Sequence, residues 1–250
     1  MSREKFIVAL LQLVCIGAFL LAWQEIVALH VVSSLFIASP SQILSNGAAS
    51  VSMFLENIKP TISEIVFSFV LAVVLGIFVG VVIGFQRTLA EVTDPFISAV
   101  NSFPKITILP VIVVIMGLGV GSIVVYAFIA AFFPVLMGMV GAVSTIDNSY
   151  IKLARSYGIA PSQLYSKVVL PALFPAILAN IRIAFVQVII AVLLGEMFLP
   201  RGGLGGLILQ LTYKFDAVNL YGVTAIISLL TIVINLSLLY WERAVVKRRK

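Results

Sequence analysis

Few side chains in this sequence have the type and spacing needed for covalent chemistry. The one histidine, His30, stands at the end of an apolar run with no His-x-x-x-His or glutamate-bearing zinc pattern, and no serine–glycine nucleophile elbow is evident. His30 reads as an interfacial residue. The glycine-rich stretches Gly117–Gly121 and Gly202–Gly206 lack the Gly-Lys-Ser or Gly-Lys-Thr ending that cradles phosphates, so they read as turns, the second with a re-entrant segment as the alternative. Cys15 is the only cysteine and no intrachain disulfide can form. What remains are polar groups set in apolar surroundings, where an ionisable side chain is costly and has to face protein or water. Arg182 and Glu196 are the charged pair of interest, with Asn101, Ser102, Lys105, Asn180 and Gln187 as further candidates for a polar path. Arg182 and Glu196 lie about 21 Å apart along one helix and cannot touch each other. Each lines a path, pairs with a neighbouring helix or sits near an interface. Lys105 suits an anionic solute, and snorkelling toward headgroups explains it equally well.

The elements that hold these residues belong in lipid. Of the 250 residues 62% are apolar and 10% charged, against about 25% charged in soluble domains. The net charge of +6 forms no basic stripe with interleaved aromatics, which argues against nucleic acid. Crossing a bilayer takes about 20 apolar residues in a helix, and six such runs are legible, at about 6–29, 65–85, 98–116, 122–143, 172–199 and 217–241. The first, behind Arg3 and Lys5, is too long for a secretory signal and reads as a retained anchor. The second carries Gly76, Gly80 and Gly84 at four-residue spacing, which suits close helix packing. The third is expected to start before Pro104, around Ser98. The stretch His30–Ser63 reads as turns with room for a short interfacial helix.

Six crossings put both termini on one side. That side holds eleven basic residues (Arg3, Lys5, Arg87, Lys152, Arg155, Lys167, Arg243, Lys247, Arg248, Arg249, Lys250) and the other holds three (Lys59, Arg201, Lys214). The positive-inside rule makes the first side cytoplasmic, and the basic tail can also meet anionic lipid. The whole chain, residues 1–250, reads as a single membrane domain with no internal repeat.

The cytoplasmic segment 144–171 is the most informative. Ser144 followed by Asp147 makes a capping-box-like start, with Ile146, Tyr150, Leu153, Ala154 and Tyr157 on one helical face and Asp147, Asn148, Lys152 and Arg155 on the other. Gly158 suits a left-handed helix end and Pro161 the first turn of the next helix, which runs through Leu164, Tyr165, Val168 and Val169 to Leu170-Pro171. On geometry alone this hairpin is either a docking surface or a plain structural loop.

The pattern Ala154, Gly158, Val168-Val169-Leu170-Pro171 resembles the EAA signature of binding-protein-dependent ABC importer permeases. Ala38-Ser39-Pro40-Ser41-Gln42, Asp94-Pro95, Phe103-Pro104-Lys105-Ile106, Pro110, Gly117-Leu118-Gly119, Pro134, Pro175-Ala176-Ile177-Leu178-Ala179, Arg182 and Arg201-Gly202-Gly203-Leu204-Gly205 extend the likeness to the nitrate, taurine and alkanesulfonate subgroup, from Ser39 to about Gly206. Lys152 stands where the signature has an acid, and Leu153 fills its second position. The resemblance implies an all-α, type I ABC importer permease fold with a coupling helix between spans four and five, formed by Lys152, Leu153, Ala154, Arg155, Tyr157, Gly158, Pro161, Leu170 and Pro171. It also implies a second copy of the chain, a cytoplasmic ATPase dimer that binds ATP and Mg in place of any cofactor here, and a periplasmic or lipid-anchored solute-binding protein in a bacterial inner membrane. The implied role is transport of a small solute, a sulfonate, taurine, nitrate or vitamin precursor, by alternating access and not catalysis. An ion-gradient-driven transporter or channel is the alternative, though it has no need of a structured hairpin at this point.

Overall fold

The structure is a computed structural model that describes residues 3–146, 156–158, 160–164, 167, 169–199 and 202–247. Those residues form helices α1 (Arg3–Ala28), α2 (Pro40–Ser45), α3 (Gly47–Gly84), α4 (Arg87–Ser102), α5 (Leu109–Met116, entered through a 3-10 turn at Lys105–Ile108), α6 (Val120–Ser144), α7 (Pro161–Leu164), α8 (Leu170–Phe198), α9 (Leu204–Tyr213) and α10 (Ala217–Lys247). Among the described residues α1, α3, α6, α8 and α10 are long and apolar enough to cross a bilayer, and α4 with the α5 segment makes a sixth crossing only as a bent pair.

Helix α6 is the axis of the bundle. Its buried residues, Ile123, Tyr126, Ala127, Ala130, Ala131, Val135, Leu136, Met139 and Val143 among them, recur at three- and four-residue steps all along the helix, so it packs α3 on one flank and α8 on the other. Small residues set the approach of α3. A Cβ on Gly76, Gly80 or Gly84 would lie 2.8, 2.6 and 2.7 Å from Val135, Met139 and Val143, which is the close contact that the four-residue glycine spacing anticipates. Gly80→Val therefore has nowhere to put its side chain. Overpacking of this kind costs about 1–3 kcal/mol, to be read as a lower thermal midpoint of the detergent-solubilised protein, while Gly47→Val, where nothing lies within 4 Å, leaves the midpoint unchanged.

Two expectations need correction. The segment ahead of the second span is mostly helical: α2 carries a complete capping box between Ser39 and Gln42, and α3 runs 38 residues straight through Lys59-Pro60, about 57 Å in length. The proline forfeits one backbone bond, but Phe54, Thr61 and Glu64 on either side of it are buried against other helices, and that packing keeps the helix going. The third span is not a continuous helix over 98–116. Phe103 is extended (φ −71°, ψ 137°), as the residue before a proline tends to be, and the chain turns by 87° between α4 and the Lys105–Met116 segment.

Helix α1 lies outside the packed bundle with nearly all its apolar residues exposed. It is tied in near its end, where Gln24 accepts a bond from the Ser41 amide at 3.2 Å and Trp23 meets Tyr221 at 5.9 Å between ring centroids. A polar clasp joins the start of α3 to α10: Asn46 donates to Asn219 at 2.6 Å, and Asn219 donates to Asp216 at 2.8 Å.

Candidate functional site

At one end of the bundle lies the segment that follows α6. Ser144 is the last residue of α6, and its hydroxyl donates to the Gly141 carbonyl at 2.7 Å; Asp147, its expected capping partner, lies outside the described residues. Lys152, Leu153, Ala154 and Arg155 lie outside the described residues, as does most of the helix expected before Gly158. Gly158 itself has φ +69°, the left-handed conformation anticipated for it, with nothing within 4 Å of a would-be Cβ, so backbone conformation alone makes the demand. Pro161 opens α7, whose Gln163 and Leu164 amides bond to Ala160 at 2.9 and 3.0 Å. Leu164 and Val169 are buried while Tyr157 is 78% exposed and Leu170 half exposed. The piece is anchored from below and presents an apolar aromatic outward, ahead of Pro171 in the first turn of α8.

The intramembrane polar residues separate into two groups. Asn101, Ser102 and Lys105 gather at the α4–α5 bend: the Lys105 ammonium donates to the Asn101 carbonyl at 2.9 Å, closing the carbonyl end of α4 where a cation is favoured, and Ser102 donates to Ser98 at 2.9 Å. Asn180, at 4% exposure, is instead enclosed between α6 and α8. Its amide donates to the Ala176 carbonyl at 2.9 Å and to Met139 sulfur at 3.6 Å, opposite Gly138, whose missing Cβ leaves room for it. In this arrangement Asn180 ties α8 to α6.

Glu196 takes one of the roles open to it, pairing with a neighbouring helix. Fully buried, it accepts bonds from the Thr61 hydroxyl at 2.6 Å and the Gly205 amide at 2.7 Å, while the Leu204 amide donates to Thr61 at 2.9 Å. Its carboxylate thus sits on the first amides of α9, where an anion meets both the helix dipole and free N–H groups. The glycines explain themselves here. Gly203 has φ +105° and a Cβ there would strike the Glu196 carboxylate; a Cβ on Gly205 would strike the Leu193 carbonyl. Within the stretch read as turns or a re-entrant segment, a ten-residue helix begins at Leu204. Local sequence pattern puts Thr61 and Glu64 outside the bilayer and so does not disclose them, yet Glu64 is 2% exposed. The buried face of α3 at three- and four-residue steps, Thr61, Glu64, Ser68 and Ala72, is the signal that could have found them.

Arg182 pairs across helices too. Its Nε lies 3.3 Å from Glu242 Oε2 on α10, and with Gln187 and Asn235 it lines a cavity between α8 and α10. Among the described residues no group of three or more His, Cys, Asp or Glu is arranged to hold a metal ion.

Apolar helices long enough to cross a bilayer, tied together by buried polar contacts such as Glu196 with Thr61, are the build of a membrane-embedded protein. The chain belongs to the family described as Binding-protein-dependent transport system inner membrane component, which matches residues 72–250. The taurine transport system permease protein TauC of Escherichia coli is 26% identical over 238 residues, 91% of this chain and 86% of that protein. The formylaminopyrimidine transport permease protein ThiX of Halalkalibacterium halodurans is 25% identical over 83% of this chain and 84% of its own length, and the nitrate import permease protein NrtB of Synechococcus elongatus 24% identical over 77% and 72%. Among solved structures, an inward facing conformation of the MetNI methionine ABC transporter superposes with a TM-score of 0.69 over 78% of this chain and 97% of that one, at 22% identity. The anticipated importer permease fold is therefore present, and the chain is a multi-pass inner-membrane transport component of the ABC importer class for small solutes, not an enzyme. Family members work with ATPase and binding-protein subunits.

Proposed function

We propose that two copies of this chain form the path of an ATP-driven importer, with both termini cytoplasmic and the segment 144–171 gripped by an ATPase dimer that binds ATP and Mg. The observation that carries the reading is the elbow at Gly158: a left-handed glycine beside an exposed Tyr157, with Leu164 and Val169 buried beneath, forms a stiff handle that passes movement to α8 through Pro171. A partner shifts a two-state equilibrium only by binding the two states unequally, and closure of the ATPase pair around such handles supplies that difference by alternately opening the bundle to each side. Lys105, with Asn101 and Ser102 at the α4–α5 bend, offers a cationic point for a small anionic solute such as a sulfonate, taurine or nitrate. A neutral vitamin precursor is the other solute class that the relatives suggest, and a separate solute-binding protein would make the choice.

The test is reconstitution of the chain in vesicles with the ATPase and solute-binding protein encoded beside it. Uptake of labelled solute is expected only with ATP and with all three components present. Uptake by the chain alone on an imposed ion gradient would instead make it a secondary transporter.

A further inference from the structure

The cavity between α8 and α10 has a volume of about 270 Å³ and is lined by Arg182, Ile183, Val186, Gln187 and Asn235. Its polar groups are under-used. Arg182 Nε, Asn235 Oδ1 and Glu242 Oε2 are all buried without a hydrogen-bond partner, although Arg182 Nε and Glu242 Oε2 lie 3.3 Å apart. The pair meets by charge and not by hydrogen-bond geometry, which leaves donors on the guanidinium and acceptor capacity on the carboxylate. Buried groups of this kind normally have partners. Both remain reachable, the Arg182 side chain being 32% and the Glu242 side chain 20% exposed.

Depth identifies the surroundings. Glu242 directly follows Tyr240 and Trp241, both well exposed, fewer than two turns from the end of α10; aromatic residues so placed mark the level of the lipid headgroups. Ile183, also exposed, and Val186 supply an apolar edge beside the charges. A purely anionic guest would set a like charge against Glu242, and a purely cationic one would do so against Arg182.

We infer that this cavity binds a zwitterion carrying an oxyanion and a primary ammonium, the oxyanion on Arg182 and Gln187 and the ammonium on the exposed part of Glu242, which adjoins the cavity beside Arg182. The headgroup of phosphatidylethanolamine has this chemistry, and so does a free aminoalkyl phosphate. The inference does not depend on ATPase coupling.

The test is native mass spectrometry of the full-length chain in mild detergent, titrated with phosphatidylethanolamine, phosphatidylglycerol and free phosphoethanolamine. Wild type is expected to retain phosphatidylethanolamine at least fivefold over phosphatidylglycerol, Glu242→Gln to lose that preference, and Arg182→Gln to weaken both lipids. The double exchange Arg182→Glu with Glu242→Arg keeps an ion pair, and so separates binding from folding: its thermal midpoint stays near wild type. A lipid held by its tails cannot turn its headgroup around in the exchanged site and loses its preference, whereas phosphoethanolamine can reverse and still binds, so this variant also tells which source fills the site. Equal retention of the two lipids by wild type together with no binding of phosphoethanolamine overturns the inference, and so does a preference that survives Glu242→Gln.

Discussion

Glu196→Ala loosens the whole α9 end of the bundle, and its thermal midpoint in detergent falls far below that of wild type. The substitution takes the acceptor away from the Thr61 hydroxyl and the Gly205 amide in a place where water cannot replace it. Each buried polar group left without a partner costs about 1–3 kcal/mol, and the emptied volume adds to that. Glu196→Gln is the informative companion: its carbonyl oxygen still serves Thr61, but its amino group is turned toward the Gly205 N–H, donor against donor. It should fall between alanine and wild type. Hydrogen exchange localises the effect, with the amides of α9 losing protection before those of α6, because α9 is held by this carboxylate, Thr61 and a small apolar cluster around Leu207 and Leu211, while α6 is held by a large apolar core. Thr61→Ser, which keeps the hydroxyl, should stay near wild type. An alanine variant as stable as the parent would show that the clamp contributes nothing.

Gly158→Pro abolishes ATP-dependent uptake and lowers ATPase co-purification at least tenfold, while the thermal midpoint of the isolated chain falls only slightly. Proline is locked near φ −65° and cannot adopt the +69° of this position, so the elbow has to rearrange. Tenfold corresponds to about 1.4 kcal/mol of binding. Gly158→Ala pays the left-handed penalty of about 1–2 kcal/mol and should lose less; Gly158→Asn, which tolerates that region best after glycine, should lose least. The midpoint is the control: among the described residues no atom lies within 4 Å of a Cβ at this position, so the cost is the backbone strain of the elbow alone and the core of the bundle loses no contact. A proline variant that still transports and still holds its ATPase would remove the elbow from the mechanism.

The two residues differ in how far the sequence discloses them. Gly158 and Pro161 were legible because a left-handed helix stop and a first-turn proline are local demands, met within a few residues of chain. Glu196 announced only that it needed company. Its partner Thr61 lies 135 residues away, in a stretch whose Lys59-Pro60 reads locally as a turn, and Arg182 finds Glu242 on a helix that local pattern places merely next in line. The third span failed for a related reason: the apolar count runs on past Pro104, yet the constraint a proline puts on the preceding residue turns the chain by 87°.

Composition and the spacing of apolar runs determined by themselves that this chain lives in lipid as a helical bundle, since a bilayer forces every backbone group into local hydrogen bonds and so makes length and hydropathy sufficient evidence. The glycine stripe of α3 and the Gly158 elbow were set at the same local level. Only the tertiary structure decided what the charged residues do. A side chain's partner is fixed by which helices stand beside each other, and the contacts that choose those neighbours, Gly80 against Met139 and Glu196 across to Thr61, join residues that no local period connects.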